Sequence, residues 1–121
     1  MRVLCRTLTS PVSGEPMSAS TWLRIDGEYV VVSVLAVPGR RVEMQIIDEG
    51  GQAPSWWDSE MFLTIDDRVP ANWVAQVGEG GAVRLGPARW LAPDFWESYF
   101  DREPEAIKVF DEELTRMLAD G

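Results

Sequence analysis

From Glu28 onward the chain reads in short apolar runs, and from Pro93 onward the repeat lengthens to that of a helix. Tyr29 to Val37 is a run of nine residues broken only by Ser33, which predicts a central strand covered on both faces. Asp26-Gly27 precedes it, with Trp22-Leu23-Arg24-Ile25 before that, a pattern that predicts a hairpin turning at the Asp-Gly pair. Pro38-Gly39 marks the next turn. Arg41 to Ile47 then alternates, with Val42, Met44 and Ile46 on one face and Arg41, Glu43 and Gln45 on the other. Further strands are expected at 60–65, with Met61, Leu63 and Ile65 pointing inward, and at 73–77 and 82–86, the last two joined by Gly78-Glu79-Gly80-Gly81. A first strand at about 2–8 leads into a Pro-, Gly- and Ser-rich loop over 9–20, and a second loop over 48–59 carries Trp56-Trp57.

Pro93 suits a first helical turn, and Asp94 with Glu97 has the spacing of a capping box. Phe95, Trp96, Tyr99 and Phe100 then fall on one stripe. Pro104 opens a second helix, in which Ile107, Phe110, Leu114, Met117 and Leu118 recur at three- and four-residue spacing. Lys108 is placed to pair with Asp111 or Glu112 on the solvent side. The expectation is a single α+β domain over 1–121. It comprises a mainly antiparallel β meander or half-barrel over about 1–92 and two C-terminal helices over about 93–119.

Composition narrows the chemistry. The 121 residues include no histidine and one cysteine, Cys5, which excludes Ser-His-Asp and Cys-His catalysis, zinc fingers and an internal disulfide. No enzyme activity, cofactor or metal site is expected. A net charge of −9 argues against a partner gripped by its phosphates, so no nucleic-acid partner is expected. No apolar run is long enough for a membrane span or a signal peptide, and a lone thiol suits a reducing interior; a cytoplasmic, membrane-free protein is expected. Ten arginines against one lysine suggest a GC-rich bacterial genome. Charge is also uneven. Residues 1–42 balance at +2 and residues 43–121 at −11, an asymmetry suited to steering a basic partner.

Asp66-Asp67, with Asp58 and Glu60 nearby, is the one carboxylate cluster that invites acid-base or magnesium chemistry. Adjacent strand residues point to opposite faces, however, and Arg68, Pro70 and Asn72 follow, so the pair is expected to shape a turn. Gly78 to Gly81 leads into a strand rather than a helix, so it reads as a hairpin turn and not a phosphate loop. Cys5 reads as a packed strand thiol. Six tryptophans are several times ordinary usage; Trp22, Trp73, Trp90 and Trp96 lie within strand or helix patterns and are expected in the core. Trp56 and Trp57 are the binding candidates, with Asp58, Glu60, Asp66 and Asp67 as their acidic company.

The stretch Ile65-Asp66-Asp67-Arg68-Val69-Pro70-Ala71-Asn72-Trp73, continued by Trp90-Leu91-Ala92-Pro93-Asp94-Phe95-Trp96-Glu97, Phe100-Asp101 and Pro104-Glu105-Ala106, resembles the C-terminal half of small acidic bacterial immunity proteins of polymorphic toxin systems. The resemblance is of general type and covers roughly the last sixty residues. It implies a sheet with a few helices and a protein that occludes a toxin through an acidic, Trp-bearing surface. The expectation is therefore a protein-binding module of immunity or inhibitor type acting on a basic protein partner. The alternative is a small-ligand or regulatory barrel with an aromatic-lined pocket.

Overall fold

A run apolar on both alternating sets needs ladder partners on both edges and cover on both faces. In the computed structural model, which describes residues 1–9, 13, 15–17, 23–47 and 54–120, that run is β2 (Glu28–Ala36). One edge of β2 pairs antiparallel with β3 (Glu43–Ile47), through Val31↔Ile46 and Ser33↔Gln45. The other edge serves two partners in succession: β1 (Arg2–Cys5) along Glu28 to Val30, then β7 (Val83–Pro87) along Val34 to Ala36. Between them the ladder with β3 slips its register, a β-bulge at Val32. Gly86 sits at this changeover because a Cβ there would lie 3.1 Å from the Cβ of Ser33.

Three outer strands complete an antiparallel sheet of seven: β4 (Pro54–Asp58) on β3, β5 (Phe62–Asp66) on β1, and β6 (Trp73–Val77) on β7. The path β4-β3-β2-β1-β5 has its two end strands consecutive in sequence, linked by the single 3-10 turn Ser59–Met61. That short link curls the sheet toward a half-barrel.

The expected hairpin at Asp26-Gly27 does not form. Trp22 lies outside the described residues, and Leu23 and Arg24 are not strand. Both edges of β2 are already taken by β1 and β3, which leaves no ladder for a strand at 22–25. Instead the Gly27 N–H bonds the Arg24 carbonyl at 3.0 Å, and Asp26 adopts a φ of 69°. The turn is tied to the end of β1, where the Cys5 N–H donates to Gly27 O and the Asp26 N–H to Cys5 O. Strand β1 stops there, short of residue 8, and the Arg6 and Thr7 N–H groups turn to Met61 O.

Two other strand expectations change. Residues 54–58 are strand rather than loop, while 48–53 lie outside the described residues. Met61 is buried in the 3-10 turn, but Leu63 and Ile65 are 48% and 45% exposed. Register with β1 decides this, since Phe62 and Thr64 stand opposite the buried Cys5 and Val3. The β6–β7 hairpin forms where expected, with Gly80 and Gly81 at φ of 70° and 82°, the left-handed region where a side chain would strain.

The helices are α1 (Phe95–Phe100) and α2 (Pro104–Asp120). The capping box is absent: Asp94 takes a φ of 63° and its side chain caps nothing. Helix α2 buries Ala106, Phe110, Glu113 and Met117, while Leu118 is exposed. Trp90 and Trp73 are core, as expected, and Trp96 is half-buried. The Trp73 indole N–H meets Met117 Sδ at 3.1 Å, and the Asn72 amide donates to the Glu113 carbonyl at 3.1 Å. These contacts fasten α2 to the start of β6. Glu112 takes Arg89 at 3.2 Å rather than Lys108, because the 3-10 turn Ala88–Trp90 lies against the helix. No helix among the described residues is long and apolar enough to cross a membrane.

Candidate functional site

Strand geometry separates the two tryptophans. Successive residues of β4 point to opposite faces, so Trp57 stands beside Met44 and enters the core, 6% exposed. Its indole N–H donates to Ser55 Oγ at 2.7 Å, two residues back on the same face. Trp56 stands beside Gln45 on the opposite face and is half-buried. Gln45 is buried there by a hydrogen bond that satisfies it, with Ser33 Oγ donating to Gln45 Oε1 at 2.6 Å.

At the end of β4, Asp58 lies directly opposite Glu43 on β3. Like charges opposed across a ladder destabilise it unless a cation intervenes. Arg41 supplies a counter-charge on the Asp58 side. Its Nη1 donates to Asp58 Oδ2 at 3.2 Å and also to Glu60 Oε2. The other Asp58 oxygen accepts the Glu60 backbone N–H at 2.9 Å and caps the 3-10 turn. Two carboxylates are thereby held in place at the rim, while the Arg41 side chain stays 67% exposed.

Beside this clamp is an open cleft of about 650 Å³, lined among others by Arg40, Arg41, Glu43, Trp56 and Asp58. Thr9 and Ser13 reach it from the N-terminal segment. Of the residues singled out in the sequence, Trp56 and Asp58 line the cleft, Trp57 contributes to its wall from the core side, and Glu60 is joined to them through Arg41 and Asp58. The sequence reading missed Arg40, Arg41 and Glu43. Their signal was the one Arg-Arg pair in the chain, set directly after the Pro38-Gly39 turn.

Asp66 and Asp67 lie at the far end of β5, so its length, on the order of 15 Å, separates them from Glu60. Asp66 accepts the Arg68 backbone N–H at 3.0 Å and the Arg68 guanidinium at 2.8 Å. Those bonds hold its carboxyl well below the usual carboxylate range, the side-chain bond contributing most. Asp66 therefore shapes the turn after β5, and Asp67 is exposed beside it. The four acids do not converge. Among the described residues no group of three or more Cys, Asp or Glu side chains is placed to hold a metal ion.

Cys5 is buried, and its thiol donates to Thr7 O at 3.4 Å. Burial pushes its pKa up, with the charge of Asp26 adding to the shift, so the neutral thiol is favoured over a nucleophilic thiolate. The site's assets are thus a half-buried indole, two carboxylates and an exposed guanidinium that bonds both. Comparison with protein-family models, with curated proteins and with solved structures finds no match to this chain.

Proposed function

We propose that this protein is a protein-binding module of immunity or inhibitor type that takes a cationic side chain of a basic partner into the Trp56 cleft. The observation that carries the reading is the Arg41 clamp, a largely exposed guanidinium holding Asp58 and Glu60 beside an indole. An exposed ion pair of this kind contributes only about 0–1 kcal/mol, so a partner's arginine replaces Arg41 at little cost. Asp58 is oriented in advance by the Glu60 backbone N–H, independently of Arg41, which lowers the entropy lost on binding. The Trp56 ring adds a cation–π contact of roughly 0.5–2 kcal/mol, more as water is excluded. The net charge of −9 steers a basic partner toward the surface. A toxin is the partner class that the resemblance implies.

The test is a titration with an oligo-arginine peptide, following the Trp56 indole N–H by NMR. A saturable shift that weakens in Glu60→Gln and fades with added salt is expected, with no shift for the citrulline analogue. Equal shifts from both peptides would remove the reading.

A second reading, a small-ligand site, is favoured by the cleft's volume. About 650 Å³ falls in the size range of small-molecule sites, and Arg40 offers a charge to a flat anion stacked on Trp56. Adenosine monophosphate is the probe; a saturable Trp56 shift that is lost in Arg40→Ala selects this reading.

A further inference from the structure

Among the described residues, strand β4 pairs with β3 along one edge and has no strand on the other. What the free edge offers follows from one bond. Val42 and Ser59 stand opposite each other one step beyond the ladder pair Glu43↔Asp58, and the Ser59 N–H donates to Val42 O at 2.9 Å. Bonded and non-bonded pairs alternate along an antiparallel ladder. Trp57 and Ser55 therefore turn their backbone groups to β3, while Asp58, Trp56 and Pro54 turn theirs outward. Pro54 sits where its missing N–H costs the ladder nothing. The free edge thus presents the Pro54 C=O, the N–H and C=O of Trp56, and the Asp58 N–H. The Asp58 carbonyl is spent on the 3-10 turn that this residue caps. Beside these groups stand the Trp56 and Asp58 side chains, which share one face of the strand and line the cleft.

We infer that this edge takes an extended segment of the basic partner as an added antiparallel strand. An arginine stands opposite Asp58 and an apolar residue opposite Trp56, in the order arginine, any residue, apolar. The inference rests on the proposed function and adds the partner's conformation and register to it. In strand addition the backbone bonds supply affinity and alternate side chains supply selectivity. Antiparallel register sets the residue opposite Asp58 two positions before the one opposite Trp56, so both project on the cleft face. Charge selects the occupant. Glu43, Asp58 and Glu60 outnumber Arg40 and Arg41 at this end of the strand. The Arg41 guanidinium already lies on Asp58 and Glu60, a contact within the chain that shows which group the two acids take. An arginine entering opposite Asp58 reaches the same oxygens and, on the diagonal, the Trp56 ring. A second copy of β4 does not suit this place, since Pro54–Asp58 carries an acid and no cation.

The probe is the peptide acetyl-Thr-Thr-Arg-Thr-Val-Thr-Thr-amide, titrated into the full chain and followed by NMR and amide exchange. Two analogues carry a single backbone N-methyl group, one on the valine and one on the threonine between arginine and valine. With the unmodified peptide at saturation, the Trp56 and Asp58 amides should exchange about tenfold more slowly or better, whereas the Trp57 amide, already bonded to β3, should not change. Methylating the valine nitrogen, which faces the Trp56 carbonyl, should weaken binding about tenfold. Methylating the threonine nitrogen, which faces away, should leave affinity within about twofold. Analogues that bind as the unmodified peptide does, or Trp56 and Asp58 amides whose exchange the peptide leaves unchanged, would overturn the inference. Oligo-arginine titrated alone keeps the two claims apart. If it binds while both analogues match the unmodified peptide, the added strand is removed and the cation site stands; if neither oligo-arginine nor the peptide binds, both are removed.

Discussion

Trp90 lies flat on Phe110, with ring centroids 4.8 Å apart and planes 9° from parallel. Around this stack Trp96 packs edge-on and Tyr99 tilted, Phe95 lies near-parallel to Trp90 at 6.4 Å, and Phe100 continues the cluster to the surface. This aromatic cluster is what fastens α2, since Phe110 is the helix's largest buried side chain. Truncating it should therefore cost about 3–5 kcal/mol, measured as a lower denaturation midpoint for Phe110→Ala. Deleting 105–121 should abolish cooperative melting, whereas a truncated chain melting at the parent temperature would make α2 an appendage.

The tryptophan pair on β4 should divide in mutagenesis as it does in space. Trp57→Ala removes a buried ring and should destabilise by about 3–5 kcal/mol. Trp56→Ala should stay within about 1 kcal/mol of the parent in urea denaturation while weakening oligo-arginine binding. Equal losses of stability would place both rings in the core.

The strands and helices legible in the sequence were those set by local chemistry. Gly78 to Gly81 announces the β6–β7 hairpin, and the spacing of Ile107, Phe110, Leu114 and Met117 announces α2. What stayed hidden was decided by distant partners. Asp26-Gly27 looks like a hairpin until β1 and β3 occupy both edges of β2. Leu63 and Ile65 alternate as inward residues do, yet the register with Val3 and Cys5 turns them out. Pro54-Ser55-Trp56-Trp57-Asp58 has no apolar alternation, and β3 makes it a strand. Asp58 and Glu60 were visible as acids, but the cation that unites them comes from 17 and 19 residues earlier.

Asp66 gives the fold an acid-side dependence. Its pKa is lowered in the folded state from 3.8, so its contribution is present above that value and is lost as pH falls below it. The melting-temperature gap between the parent and Asp66→Asn should therefore narrow as pH drops from about 5 to about 2. A gap that stays constant would show that the Arg68 contact adds nothing to folding.

Cys5 gives the opposite slope. Its pKa is raised by burial above 9.0, so the stability tied to the neutral thiol is present below that value and is lost as pH rises through the folded pKa. The parent should lose stability relative to Cys5→Ala above about pH 9. Native protein at about pH 8 should also resist iodoacetamide, with modification appearing on unfolding. Rapid labelling of the folded chain would contradict the buried placement.

The most direct measurement for the proposed binding mode is the affinity of Arg41→Ala for an oligo-arginine peptide, compared with the parent at the same salt. Arg41 occupies the position that the partner's guanidinium would take, between Asp58 and Glu60. Removing an internal competitor worth roughly 0.2–1 kcal/mol should tighten binding by about 1.5- to 5-fold. Weaker or unchanged binding in Arg41→Ala would contradict the exchange of one arginine for another at the Trp56 cleft.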